Sequence, residues 1–230
     1  MASGYFITGT DTGVGKTLVS CALLHAFAAR GKTVVGMKPV VVGCENGKWM
    51  DVELLIAAST VVVPRKWINS YALIPPVAPH IAAKRSGVEI DIAIILQACR
   101  ELQNVAEIVI VEGIGGFLVP LNGHCDGGDM ALALGFPVIL VVGMRLGCLN
   151  HALLTAQAVR ATGLQLAGWV ANQIDPQMIE FEENVRALEQ RLACPLLGVL
   201  PFGQDVAAQK FSVLLNIAGL ELGKSSTKPC

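Results

Sequence analysis

Residues 7–17 read Ile-Thr-Gly-Thr-Asp-Thr-Gly-Val-Gly-Lys-Thr. The β-forming run Tyr5, Phe6, Ile7 leads into them, and a stretch rich in helix formers follows over residues 18–30. Small residues let successive backbone N–H groups point inward at an anion, and a helix start adds unpaired donors and partial positive charge. Lys16 is placed to reach the β- and γ-phosphates, and the Thr17 hydroxyl suits Mg²⁺. The loop is one residue longer than the common form: Thr10 stands where the strict spacing wants glycine, and Gly9 lies one position earlier. The competing reading is a plain strand-to-helix turn with an exposed lysine, in a chain that carries 24 glycines. The strand before the loop and the helix after it are the context a phosphate loop requires, so they favour a function built around a nucleoside triphosphate.

Working outward, strand-like runs rich in Val, Ile and Leu recur at residues 5–8, 33–37, 107–111, 137–142, 166–171 and 195–200. Their weak alternation is how strands covered on both faces read. Helical patterns lie between them at 16–30, 91–104, 149–162 and 176–192. Asp175-Pro176 reads as a helix start, with proline where the N–H has no partner anyway. Gly31 and Gly163 fall where helix C-termini belong. Alternating strand and helix predicts an α/β fold of the P-loop NTPase kind, with a mainly parallel central sheet and helices on both faces. Sites in such sheets gather at the C-terminal strand ends. There the chain places the loop to Thr17, then Lys38, Glu112, Asn172 and Pro201. Residues 61–87 are proline-rich and less regular, and read as an excursion over the sheet edge. One domain is expected over residues 1–222, with a loose tail at 223–230.

Composition bounds the function. The 230 residues are 53% hydrophobic and 15% charged, with a net charge of −1. That excludes disorder and, with no block of like charge, argues against a nucleic-acid groove or an anionic membrane patch. No apolar run reaches transmembrane length, and the first residues lack the pattern of a signal peptide. The seven cysteines have no Cys-x-x-Cys spacing, which predicts neither a disulfide framework nor a zinc site, and a cytoplasmic location is expected.

Individual residues carry the chemistry. Glu112 ends the run Ile-Val-Ile-Val and is expected to hold Mg²⁺; the bland alternative is a solvated strand-end acid. Gly113, Ile114 and Gly115 follow it, and the glycines let backbone approach a ligand. Lys38 ends the second strand, where a second cation would neutralise charge developing in phosphoryl transfer; exposed strand-end lysines are common too. Asp51 reads equally as a helix-start acid or a second metal ligand. Asn172 can hydrogen-bond a purine edge as donor and acceptor, or can simply form a turn. His80 and His151 lack any nucleophile or metal spacing nearby and read as structural or substrate-lining. The 146–151 stretch opens a helix whose free N–H groups make a carboxylate seat.

Together these motifs resemble the dethiobiotin synthetase family. The carriers are residues 8–17, Met-Lys-Pro-Val (37–40), Val-Glu-Gly-Ile-Gly-Gly (111–116), Leu-Gly-Cys-Leu-Asn-His-Ala-Leu-Leu-Thr-Ala-Gln (146–157) and Leu-Ala-Gly-Trp-Val-Ala-Asn (166–172). The last two are far more specific than the phosphate loop. The resemblance implies a homodimer acting on 7,8-diaminononanoate, CO₂ (or bicarbonate) and MgATP. One amine takes up CO₂ as a carbamate, which attacks the γ-phosphate; the second amine then displaces phosphate and closes a cyclic urea. It also implies roles for particular residues. Lys16, Lys38 and Thr12 would act on the carbamate and phosphate. Gly13, Val14, Gly15, Lys16, Thr17 and Leu18 would cradle the triphosphate, with Glu112, Gly113, Ile114 and Gly115 beside it. Thr17, Asp51 and Glu112 would bind Mg²⁺. Asn172, Gln173, Pro201, Phe202 and Gly203 would hold adenine. Val42 would line the diamine site, and Gly147, Cys148, Leu149 and Asn150 of the partner subunit would take the substrate carboxylate. Two positions depart from the family pattern. Val42 replaces a serine, which removes a hydrogen bond worth about 0.5–1.5 kcal/mol. Gly13 stands where some members carry glutamate.

Two alternatives stay open at this level: a nucleotide-gated switch of the partitioning-ATPase kind, and an amide-forming ligase with another substrate. The first tends to carry an extra lysine early in the loop, where this chain has Gly9-Thr10-Asp11.

Overall fold

The structure is a computed structural model and describes residues 3–203 and 208–221; the tail expected at 223–230 lies outside them. Six strands form the main sheet: β1 (Ser3–Gly9), β2 (Val34–Met37), β5 (Ile108–Glu112), β6 (Val138–Met144), β7 (Leu166–Gln173) and β8 (Leu196–Leu200). Their order is β2-β5-β1-β6-β7-β8, and every pairing is parallel. All six expected strand runs therefore appear within a residue or two of their expected bounds.

The reason those runs read as continuously apolar is visible in the core. Phe6, Val35, Val109 and Leu140 point into one hydrophobic layer, while their neighbours Tyr5, Ile7, Val34, Ile110 and Ile139 point into another. Successive side chains on a strand face opposite sides, so a sheet covered twice needs apolar residues at both. Helix α1 (Lys16–Ala28) packs on one face, joined there by α2 (Met50–Ala58) and α9 (Ala208–Ser212). The other face is covered by α5 (Ile92–Gln103), α6 (Gly127–Leu134), α7 (Cys148–Ala161) and α8 (Phe181–Leu192). The ring of Tyr5 stacks on Phe27 with centroids 5.9 Å apart, and its hydroxyl donates to the Leu220 carbonyl of α10 (Ala218–Glu221).

Helix limits follow their caps. The Asp91 side chain accepts from Ala93 N and starts α5 as expected. Gly31 and Gly163 take positive φ values of 77° and 82° just beyond α1 and α7. One expectation fails: Asp175-Pro176 does not open a helix. Asp175 caps a local turn by accepting from Gln177 N at 2.9 Å, and α8 begins only at Phe181 after Glu180 at φ 55°. The cap chemistry is real, but the chain reverses again before the helix starts. The 61–87 excursion has more order than expected. It holds α3 (Arg65–Ile68), β4 (Tyr71–Leu73) and α4 (Pro79–Arg85), and β4 pairs in parallel with β3 (Val40–Val42) as a small second sheet.

Candidate active site

The phosphate loop leaves β1, which lies between β5 and β6 where the strand order reverses direction; this is the place α/β sheets form their crevice. Gly13 and Gly15 take left-handed φ values of 74° and 90°, and Gly15 is the N-cap of α1. A side chain at position 15 is blocked twice. The conformation disfavours L-residues, and a Cβ there would fall on the Asn172 amide. That amide sits at the end of β7, is buried, and donates from Nδ2 to the Val14 carbonyl at 2.9 Å. Asn172 thus clamps the loop, whatever else its oxygen does. Next to it, Gln173 Oε1 accepts from Phe202 N at 3.4 Å, which joins β7 to the exposed turn of Pro201, Phe202 and Gly203 after β8.

On the other side of the loop, strand ends bring charges together. Lys38 follows β2 and is buried. Its ammonium donates to Glu112 Oε1 at 2.5 Å and to the Gly113 carbonyl at 3.1 Å, and it pairs with Asp51 Oδ2 at 3.0 Å. Glu112 ends β5 and is also buried. Asp51 lies in the first turn of α2, so both sequence readings describe it: it is a helix-start acid whose oxygen also reaches the loop. The Thr17 hydroxyl lies 3.0 Å from Asp51 Oδ1 and 2.9 Å from Glu112 Oε1. One hydroxyl proton cannot serve two carboxylate oxygens, and Glu112 Oε2 is buried without a hydrogen-bond partner. Two carboxylates and a threonine hydroxyl are the all-oxygen set that a magnesium ion shares with phosphates and water, so these residues fit that ion. Among the described residues no cluster of three or more Asp, Glu, His or Cys side chains offers a different metal site.

Electrostatics follow from this packing. Burial works against the Lys38 ammonium, but Glu112 and then Asp51 outweigh it, and its pKa is raised. Burial also works against the Asp51 carboxylate, and the Lys38 charge with its hydrogen bond holds that pKa down. Lys16 differs. Burial first, and the Lys38 charge second, lower it to about 8, while its ammonium donates to the Asp11 carbonyl at 2.8 Å. Lys38 is neutralised by carboxylates in direct contact; the Lys16 ammonium, on the cleft lining, makes its hydrogen bond to its own loop and can turn to an incoming anion.

The loop and this cluster open on a cleft of about 810 Å³. Thr12, Gly13, Gly15, Lys16, Thr17, Lys38, Asp51, Glu112, Ile114, Gly115 and Val42 line it together, as the sequence reading grouped them. Val14 is buried beneath the loop, and Leu18 and Gly113 adjoin the lining residues without lining the cleft themselves. The apolar wall of Val41, Pro76, Val77, Pro79 and Val119 was missed, because it comes from β3, the start of α4 with the loop before it, and the segment between β5 and α6, which no periodicity joins to the phosphate loop. Also missed was Asn69, buried, whose amide donates to the Lys38 carbonyl at 2.7 Å and pins the Lys38-Pro39 turn.

Gly147, Cys148, Leu149 and Asn150 do not line this cleft in their own chain. Gly147 caps α7 at φ 94°, Cys148 is buried, and Leu146 beside them is 95% exposed. The turn is tied to the phosphate loop through Arg145, which pairs with Asp11 Oδ2 at 2.8 Å.

Comparison with known proteins agrees with this geometry. Residues 3–210 match the AAA domain family. The chain is 67% identical to the ATP-dependent dethiobiotin synthetase BioD of Nitrosospira multiformis, covering 98% of this chain and 99% of that one. It is 54% identical to the protein of the same name from Aromatoleum aromaticum, over 92% and 96% of the two chains. In shape it is similar to the MinC:MinD cell division protein complex of Aquifex aeolicus, with a TM-score of 0.58 at 16% identity over 100% of this chain and 98% of that one. At that identity the likeness is one of fold alone. A buried lysine beside a phosphate loop, the motifs that surround it, and identity sustained along the whole length lead to one conclusion: the chain belongs to the ATP-dependent dethiobiotin synthetase family.

Proposed function

We propose that this chain closes the ureido ring of dethiobiotin from 7,8-diaminononanoate, CO₂ and MgATP, releasing ADP and phosphate. The observation that carries the reading is the mixed lining of one cleft. It gathers Lys16, Lys38, Thr17, Asp51 and Glu112 together with the apolar residues Val41, Val42, Pro76, Val77 and Val119. A polyanion suits the first set, and the alkyl chain of a diamino acid suits the second.

In this reading the loop amides of residues 13–18 cradle the phosphates, and Lys16 leaves the Asp11 carbonyl to meet them. Asn172, Gln173 and the Pro201, Phe202, Gly203 turn flank the adenine. Thr17, Asp51 and Glu112 would hold Mg²⁺, which when bound offsets phosphate charge. Chemically, one amine nitrogen adds to CO₂ and loses a proton, giving a carbamate. A carbamate oxygen attacks the γ-phosphorus and ADP departs. The second amine attacks the carbamoyl carbon, phosphate leaves, and the five-membered urea closes. Lys38 lies where a cation steadies the carbamate and the oxygens of the transferring group, and Thr12 lines the same space. No side-chain base is obligatory, because positioning and charge stabilisation supply most of the catalysis.

The reading includes a homodimer in which the 147–150 turn of a second copy binds the substrate carboxylate. Its support is that the turn stands at the N-terminus of α7, where a helix favours negative charge, yet outside the cleft of its own chain. A cytoplasmic enzyme is in keeping with a chain in which no described helix is long and apolar enough to cross a membrane. The test is turnover. Purified protein given diaminononanoate, bicarbonate and MgATP is expected to form dethiobiotin and ADP in equal amounts. Folded protein that forms neither refutes the proposal.

A further inference from the structure

The phosphate loop carries one acid. Asp11 is the single carboxylate among residues 7–17, in a segment otherwise suited to an anion. A negative charge left unpaired there would oppose the polyanion that the loop is shaped to hold, because like charges brought together cost affinity.

Both oxygens of that carboxylate are occupied. Oδ1 accepts from the Thr12 N–H at 2.7 Å, and Oδ2 accepts from Arg145 Nη2 at 2.8 Å. Thr12 and Lys16 line the cleft, whereas Asp11 and Arg145 do not. Lys16 meets Asp11 on its carbonyl, at 2.8 Å, and not on its carboxylate. Of the three acids that act on the Lys16 charge, Asp11 acts least, behind Glu112 and Asp51, although it alone belongs to the loop.

The cation that holds the acid stands on a fixed backbone. Arg145 follows β6, and the Cys148 N–H donates to its carbonyl at 3.0 Å where the chain turns into α7. Two further bonds tie the same strand end to the loop. The Thr10 N–H donates to the Val141 carbonyl at 3.0 Å, and the Gly143 N–H donates to the Thr10 hydroxyl at 3.3 Å. The fold therefore brings Asp11 and Arg145 together without help from their charges. Their side chains are 49% and 44% exposed, and an ion pair so open to water adds little to stability. Its effect falls on where charge lies beside the cleft.

We infer that Arg145 is a positioning residue: it neutralises the Asp11 carboxylate and keeps it off the phosphate site, which leaves Lys16 free to meet the triphosphate. Without Arg145 the acid can swing onto the Lys16 ammonium and repel the phosphates. This rests on the reading of the cleft as a triphosphate site.

The test compares wild type with Arg145→Met, Arg145→Lys, Asp11→Asn and the double variant Asp11→Asn/Arg145→Met in the full chain. Calorimetry measures binding of a non-hydrolysable ATP analogue with Mg²⁺, at low and at high NaCl, and thermal melts run alongside. The Met variant is expected to bind the analogue about tenfold more weakly, equal to about 1.4 kcal/mol. The gap should narrow at high salt, because a half-exposed charge is screened. The Lys variant, which keeps the charge, should recover most of the loss. Asp11→Asn, which keeps an acceptor for the Thr12 N–H, should bind at least as tightly as wild type. The double variant should also recover most of the loss, because it no longer has the acid that Arg145 covers. All four should melt close to wild type. Unchanged affinity in Arg145→Met overturns the inference. So does a double variant as weak as Arg145→Met, which would mark a loop tether rather than control of a charge. A Met variant that fails to fold, or melts far below wild type, also overturns it, since the pair would then hold the structure. If wild type binds the analogue and any of these results appears, only the role of Arg145 falls. If wild type binds no analogue, the reading of the cleft falls and this inference with it.

Discussion

Replacing Lys38 by methionine removes a charge but keeps the length and apolar stem of the side chain. The two acids it leaves behind are not equivalent. The Asp51 side chain is 40% exposed and can rehydrate, whereas that of Glu112 is 0% exposed and already has one unpartnered oxygen. Removing one partner of a buried ion pair costs about 3–5 kcal/mol, and the solvent access of Asp51 points to the lower end. For a chain of this length about 2–4 °C of melting temperature is lost per kcal/mol, so Lys38→Met should melt about 6–12 °C below wild type. Added Mg²⁺ without nucleotide should restore part of that difference and should stabilise the variant more than wild type, because a divalent cation can neutralise the carboxylates that Lys38 no longer covers. Turnover should fall by at least about 10²–10³, as expected when a preorganised charge is removed from a reacting centre. Thermal melts with and without MgCl₂, alongside an assay of phosphate release, provide all three readouts. A variant that melts with wild type, or turns over near its rate, refutes the reasoning about Lys38. A variant that gains no more from Mg²⁺ than wild type refutes the assignment of Asp51 and Glu112 to a magnesium site.

Two further outcomes follow from local geometry. Gly15→Ala puts a Cβ onto the Asn172 amide and adds about 1–2 kcal/mol of left-handed strain, so calorimetry should show a clear loss of affinity for an ATP analogue; Gly31→Ala carries the same kind of strain in open space and should leave that affinity intact. At the opposite end of the sheet, the Lys32 side chain and the Thr33 backbone N–H hold Glu107 down at about 2, below the ordinary 4.5. Because the folded pKa is depressed, the stability it contributes is complete above pH 4.5 and is lost as pH falls through about 2. Glu107→Gln should therefore flatten the acid limb of a stability–pH curve in that window, and an unchanged curve would contradict the pairing.

How much of this was legible in the sequence depends on how local the determining contacts are. The six main-sheet strands were readable because each is covered on both faces and so is apolar at successive positions. Lys38, Glu112 and Asn172 were readable because a polar residue that ends such a run must sit at the sheet edge. The phosphate loop was readable because its glycines, lysine and threonine act within a single turn. What escaped depends on distant parts of the chain. Val40–Val42 becomes a strand only by pairing with Tyr71–Leu73, some thirty positions along. The helix Gly127–Leu134 was overlooked although Asp126 and Asp129 form a reciprocal capping box at its start, a spacing that is visible in sequence. Asp175-Pro176 misled because a cap-type side chain serves a turn as well as a helix. The cleft wall at residues 76–79, the Asn69 clamp and the Asp11–Arg145 pair have no periodic signature, since each joins segments that meet only in the folded chain.

The central claim is that a carbamate oxygen attacks the γ-phosphate in the cleft of Lys16 and Lys38. Turnover in bicarbonate whose oxygens are all ¹⁸O, with unlabelled ATP and water, tests it directly. The account predicts one labelled oxygen in each phosphate released and another in the urea carbonyl. Phosphate released without label, alongside normal formation of the ring, would contradict it.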